Sequence, residues 1–391
     1  MAGMRILKAL KSGLDAREAQ RVKDALLGAK AQWESGDREQ AVALVRKTIA
    51  SATHLPDGYF LLGRYLMRLG QLHEAHAAFC KALERSSQFP HILHAQVFVA
   101  VATARIAFEA GEKSYLPAPA LPQNPPCVSV IICSINEARY AQSVAQYHRL
   151  LEGVPHEIIG IHDATSLCEG YNRGVRQSCG DLLVFSHDDV EIVTPDFAAR
   201  LIASLQANDV VGVVGSTFAC GATWFGSGWP YLRGQFGMPV KPGPGVTAYV
   251  FGLHDQLASQ VQVLDGFFLA AKRSVALAVP FDEHTFDGWH LYDIDFTFSA
   301  HVRGFRVAVC NDQLMIHESH GKFDEAWNVY QERFLKKHEN NLTFSGKAVF
   351  NQESGGPVQI LVPSIDEWCV ITKSLIAADY PPGSINAAAV R

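Results

Sequence analysis

An α/β domain on a mainly parallel sheet, preceded by an all-helical domain, is the fold class that this 391-residue sequence predicts. Three observations carry the prediction. From residue 127 to 345, apolar strand-like runs alternate with helix-like stretches, a pattern that places helices on both faces of a mainly parallel sheet. Over residues 29–90, similar residues recur 34 apart: Gly36 and Gly70, Ala41 and Ala75, Val45 and Phe79, Thr48 and Ala82. Between these regions, residues 114–126 hold five prolines, too many for a helix or sheet interior. The expected organisation is a helical domain over 1–113, a linker over 114–126, the α/β domain over 127–345 and a C-terminal extension over 346–391.

Each helical element has a physical reason. Gly at an inter-helix turn permits a tight bend, Ala at a crossing lets two helices approach, and the apolar residue four positions on fills the groove. A 34-residue period is that of tetratricopeptide helix pairs, and Gly63, Leu69-Gly70, Glu74-Ala75, Phe79 and Ala82-Leu83 resemble that pattern. The first copy is weaker, with Trp33 near its turn. Two copies fall below the usual solenoid minimum of about three, so the helix from His91 to Ala110 is expected to cap them. The repeats imply either a face for a protein partner or self-association, or a stack that only supports its neighbour.

The α/β region reads in order. Val128–Ile132, His156–Ile161, Leu182–Phe185 and Val210–Val214 are apolar strands. Residues 138–151, 167–178 and 195–207 are the intervening helices. Residues 216–262, rich in Gly, Pro and aromatics, read as a long functional loop. Val263–Ala270 and Phe305–Cys310 are further strands, and a helix is expected to start at Asp293. A short strand, Val358–Val362, lies in the tail.

Composition narrows the function classes. Hydrophobic residues make up 48% and charged residues 19%, so a substantial core forms. A formal charge of −5 argues against a nucleic-acid partner, which wants a strongly basic face. No apolar run is expected to span a membrane; the most apolar helix, from Ile92 to Ala110, is interrupted by His94, Gln96 and Arg105. The charged N-terminus does not resemble an export signal. The eight cysteines form no CxxC pair, so a cytoplasmic protein with reduced thiols is expected.

The chemistry concentrates where strands end. His187-Asp188-Asp189 directly follows Leu182–Phe185, and carboxyl ends of strands in open α/β sheets are where ligands bind. Imidazole and carboxylate together suit Mn²⁺ or Mg²⁺, although Asp is also common in plain turns. The aromatic cluster from Trp224 to Tyr231 offers faces for sugar rings, or plugs the core under a loop.

These motifs, in this order, resemble a GT-A-fold glycosyltransferase similar to glycosyltransferase family 2, over roughly residues 127–320. Val128-Ser-Val-Ile-Ile-Cys-Ser-Ile-Asn-Glu137 resembles the opening strand and its Asn-Glu turn. His156–Thr165 resembles the second strand, with its base-contacting acid falling on Asp163. Gly170-Tyr-Asn-Arg-Gly174 and Gly180-Asp181 resemble the Asn-x-Gly and Gly-Asp elements. His187-Asp188-Asp189 falls on the metal-binding Asp-x-Asp, with His replacing the first acid. Val263–Ala270 resembles the acceptor-side strand. Phe286–Phe296 resembles the Glu-Asp region, where Tyr292 replaces Glu and Asp293 takes the catalytic base. His317, in the stretch from Met315 to Gly321 that also holds His320, takes the distal metal-ligand His.

The resemblance implies a metal-dependent transfer of a sugar from a nucleotide-sugar donor, first of all a UDP-sugar, to a hydroxyl of a saccharide or protein acceptor, with inversion. It implies Asp293 as general base and His187, Asp189 and His317 as metal ligands. Ile135, Glu137, Asp163, Asn172 and Asp188 would bind the nucleotide, and Asp265, Trp289, His290 and Asp295 the acceptor. A helix start favours an ionised Asp293 through the dipole. The His187 and Tyr292 departures leave a non-catalytic scaffold as the alternative.

Overall fold

A computed structural model describes residues 2–86, 91–252, 255–319, 321–342 and 356–378, with side chains from Arg17 onward and His91 excepted. His320, the expected boundary near residue 345 and the end of the expected C-terminal extension, from residue 379 on, lie outside the described residues. The chain divides into two compact units, one ending at Lys113 and one beginning at Ser114.

The first unit is helical: α1 (Ala2–Glu34), α2 (Arg38–Ser51), α3 (Pro56–Arg68), α4 (Leu72–Arg85) and α5 (His91–Glu109). Residues 34 apart occupy equivalent places. Ala41 and Ala75, like Val45 and Phe79, are fully buried. Gly36 and Gly70 follow α1 and α3 with φ of +96° and +74°, a left-handed conformation that glycine adopts cheaply. Gly63 lies flush on Phe79, where a Cβ would stand 2.6 Å from the ring. Trp33 stacks on Tyr65 at 4.1 Å.

One expectation is narrowed here. Ile92–Glu109 in α5 is long and apolar enough, by length and composition, to cross a membrane. Five polar residues, His94, Gln96, Thr103, Arg105 and Glu109, do not offset thirteen apolar ones. In this unit 44% of that stretch is buried, and Phe98 stacks on Phe79 at 5.1 Å.

The second unit holds two sheets. Its elements are β1 (Val128–Cys133), α6 (Glu137–Leu150), β2 (His156–Ile161), α7 (Leu167–Gln177), β3 (Leu182–Ser186), β4 (Val190–Ile192), α8 (Phe197–Ala207), β5 (Val210–Gly212) and β6 (Val214–Ser216). Then come β7 (Leu232–Pro239), β8 (Val246–Gly252), β9 (Leu257–Ala258), β10 (Val263–Leu264), β11 (Phe268–Lys272) and α9 (Arg273–Ala278). The chain continues through α10 (Tyr292–Val302), β12 (Val307–Cys310), β13 (Met315–His317), α11 (Glu325–Lys337), β14 (Val358–Val362) and α12 (Ile365–Ala377).

The first sheet has the order β2-β1-β3-β11-β5-β12-β9. β1, β2 and β3 pair in parallel, as do β5 and β12, whereas β11 runs antiparallel between β3 and β5. The α/β class and the all-helical region expected from the sequence are both present, and the sheet is mixed. The expected single strand Val263–Ala270 is broken: β10 belongs to the second sheet and β11 to the first. The turn between them is Asp265-Gly266-Phe267.

Residues 216–262 are not one loop. They carry β7 and β8, the middle of the second sheet, whose path is β10-β6-β7-β13-β4 with β14 paired to β8. Glycines hid these strands, because Gly interrupts the alternation that signals a strand. Gly237 is needed there: a Cβ would stand 2.4 Å from Val246 and 2.8 Å from Trp368. Trp368 on α12 is fully buried and donates its indole N–H to Gln235 at 3.0 Å.

The start of the proline-rich segment is fixed to this unit. Arg200 is 1% exposed. It pairs with Asp312 at 2.9 Å, donates to the Leu116 carbonyl at 2.5 Å and lies 4.7 Å from the centre of the Tyr115 ring. The Tyr115 hydroxyl donates to the Asp312 carbonyl at 2.7 Å.

Candidate functional site

Strand pairing assembles the site from three places in the sequence. β11 beside β3 lets the His187 N–H donate to the Phe267 carbonyl at 3.0 Å. β13 runs antiparallel to β4 with His317 opposite Val190, so His317 arrives beside Asp189. The donor atoms of His187, Asp189 and His317 lie within 4.8 Å of one another. His317 Nε2 is 3.3 Å and His187 Nδ1 3.9 Å from Asp189 Oδ1. Phe267 stacks on the His317 ring at 4.8 Å.

The charge states suit a cation. Burial raises the Asp189 pKa, but hydrogen bonding to His317 and Ser319 outweighs it and holds the carboxyl well below the usual range. Burial, then the neighbouring His317, pushes His187 down to about 4, leaving it neutral. Its other nitrogen, Nε2, lies 2.7 Å from the Tyr292 hydroxyl, which orients the ring as partners of metal-bound histidines do. A neutral His187 imidazole, the His317 ring and an ionised carboxylate offer the ligand types that fit Mn²⁺ or a similar divalent ion. The Tyr292 departure thus has a place: it supports the His187 departure.

α10 supplies the next group. Gly266 abuts its start, where a Cβ would stand 2.3 Å from the Tyr292 hydroxyl and 2.5 Å from Asp293 Cβ. Leu291, just before the helix, has φ +61°, a strained conformation for a bulky residue. Asp293 is partly buried in a cavity of about 760 Å³ that His187, His317 and Asp265 also line. Burial, then the Asp265 charge, raises its carboxyl to about 7. The expectation that the helix dipole lowers this pKa is overturned, because desolvation and a like charge outweigh the backbone N–H groups.

The remaining candidates separate. Asp265 accepts from the Trp224 indole at 2.7 Å and from the Phe267 N–H at 3.1 Å. Trp289, 54% exposed, and His290, 3.4 Å from Asp324, line the same cavity. Asp188 accepts from Ser134 at 2.5 Å and faces a second cavity of about 450 Å³ with Asp189 and Arg139. Ile135, 89% exposed, and Glu137 stand on the open rim after β1, and Asp163 pairs with Arg173 at 2.8 Å.

Two candidates lie inside the fold. Asp295 is 2% exposed and bonded to Lys337 and His338, each at 2.7 Å, so it ties α10 to α11. Asn172 spans Phe281 and Glu283, donating at 2.8 and 3.0 Å and accepting from the Phe281 N–H at 3.0 Å, so its amide is engaged within the fold. Sequence reasoning missed Phe267, Ser319 and the Trp224–Asp265 bond. Ser319 sits two residues past His317, the one signal that would have found it.

The family described as "Glycosyltransferase like family" matches residues 129–341. GalNAc-T7, solved with UDP, GalNAc and Mn²⁺, aligns over 56% of this chain and 48% of its own, at 10% identity and a TM-score of 0.36. This chain therefore spans about half the length of that structure. The mannosyltransferase PcManGT from Pyrobaculum calidifontis, in complex with GDP-Man and Mn²⁺, aligns over 76% and 89%, at 13% identity and a TM-score of 0.34. No curated protein matches the sequence.

Proposed function

The chain belongs to the glycosyltransferase-like family, matched over more than half its length, and from that premise we propose that it transfers a sugar from a nucleotide-sugar, with UDP-sugars as the first choice, to an acceptor hydroxyl with inversion. The observation that carries this reading is that His187, Asp189 and His317 converge beside a cavity that also holds Asp293.

In the transfer, the acceptor oxygen bonds to the anomeric carbon as the bond from that carbon to the diphosphate oxygen breaks. The hydroxyl proton passes to the Asp293 carboxylate, and the nucleoside diphosphate leaves. His187, Asp189 and His317 would hold the divalent cation, Mn²⁺ or Mg²⁺, which when bound neutralises charge on the diphosphate. Asp265, held by Trp224, maintains the electrostatics around Asp293. Ile135, Glu137, Asp163 and Asp188 are the proposed nucleotide contacts, and Trp289 and His290 the acceptor-side ones. A saccharide or a protein side chain is the acceptor class that the family resemblance implies, a cytoplasmic location is proposed with it, and the helical unit is proposed to bind a partner or a second copy.

Calorimetry of nucleoside diphosphates with Mn²⁺ tests the reading. Asp189→Ala should lower that affinity at least tenfold; unchanged affinity in this variant overturns the metal assignment.

A further inference from the structure

The large cavity carries a statement about the acceptor that the family does not supply. It is a size at which one sugar ring leaves much of the space free, within the range of drug-sized sites. Nine of its lining side chains are aromatic. Trp224, Phe225, Phe323 and Trp327 run along it edge to face, with centroid separations of 5.5, 5.7 and 5.2 Å. Phe251 packs on Trp224 at 4.7 Å. The result is a continuous hydrocarbon wall.

Its hydrogen-bonding capacity is small. Among the described lining residues the side chains that can fork to two neighbouring hydroxyls are Asp265 and Asp293 alone, with no Asn, Gln, Arg or Glu. The polar groups present are mostly engaged. His187 and His317 face Asp189, Asp265 is held by Trp224 and Phe267, and the Tyr292 hydroxyl is on His187. The Thr223 hydroxyl is enclosed and has no partner among the described residues. Ser319 lies 3.1 Å from His317 and His290 3.4 Å from Asp324, so Asp293 and the exposed Lys322 remain. A saccharide brings several hydroxyls per ring, and each one buried without a partner costs about tenfold in binding.

Resting on the transferase reading, we propose that the acceptor hydroxyl is carried on an apolar, uncharged scaffold, an aliphatic or aromatic alcohol, rather than on a saccharide or a polar protein segment. Asp293 takes the single proton that such an alcohol presents, and the aromatic wall buries the rest. The bond changes are those given above, with the alcohol oxygen as the nucleophile.

The test uses the full chain with Mn²⁺. A panel of nucleotide-sugars is screened by calorimetry and by release of nucleoside diphosphate to water, which identifies the donor. With that donor, 1-octanol and 2-naphthol are compared at matched concentration with maltotriose and a serine-rich peptide. One of the two apolar alcohols should raise diphosphate release at least tenfold over hydrolysis and yield its glycoside by mass spectrometry. The saccharide and the peptide should raise it less than twofold. Octanol or naphthol as the better acceptor distinguishes an aliphatic from an aromatic source. Trp289→Ala should cut kcat/KM for that alcohol about tenfold relative to the rate with water, from the lost apolar contact. Equal or greater stimulation by the saccharide or peptide overturns the inference, as does donor hydrolysis that neither alcohol stimulates. Absence of any metal-dependent donor binding removes the transferase reading, and the inference falls with it.

Discussion

Asp293 illustrates how a residue's working state conflicts with its resting one. Burial and Asp265 raise its pKa to about 7, while a general base must be ionised. The rate should therefore rise with pH through an apparent pKa near 7, and Asp293→Asn should remove this limb while lowering turnover by roughly 10²–10⁴ and leaving donor affinity within a few fold. Near-full turnover in that variant would assign the base elsewhere. Stability should move oppositely. The folded pKa lies above the unfolded value, so protonation stabilises the fold below pH 4 and the benefit is lost as pH rises through 7. Asp293→Asn should thus raise Tm at pH 8 and change it little at pH 4. Gly266 is the neighbouring test. Gly266→Ala places a methyl against Tyr292 and Asp293 and should cost about 1–3 kcal/mol together with turnover, read by thermal melts and initial rates.

At the scale of elements, legibility in the sequence followed local signals. β1, β2 and β3 were readable because each is a short apolar run ending in a polar turn. β7 and β8 were not, because Gly234, Gly237 and Pro239 break their alternation, and the need for Gly237 lies in α12, about 130 positions away. The metal group was legible in kind, since His187 and Asp189 stand at a strand end, whereas the approach of His317 depends on the β4–β13 pairing. The bonds of Asp295 were not legible, because they join α10 to α11 across more than forty residues of sequence. Its partners lie at residues 337 and 338. Asp295→Asn should cost about 1–3 kcal/mol by weakening its bond to the buried His338, while Lys337 keeps Asp282 at 2.8 Å, with kcat/KM nearly unchanged once the melt is taken into account. A large loss of turnover in the still-folded variant would return Asp295 to the site.

At the scale of the molecule, composition marked the join between two units but not who owns it. Prolines suggested a spacer from residue 114, and Arg200, Asp312 and Tyr115 show that its first residues are part of the α/β unit's interior. A fragment beginning at Pro122 would leave Arg200 without the Leu116 carbonyl and the Tyr115 ring. It should melt several degrees below one beginning at Ser114, while both retain donor binding by calorimetry; equal melting temperatures would show that the strap contributes nothing. For anyone shuffling modules, the practical unit of exchange starts upstream of the strand that composition nominates. A graft that swaps the helices but carries Tyr115 and Leu116 along brings a finished interior with it. One that cuts in the proline run hands the new neighbour a buried, half-satisfied arginine to complete.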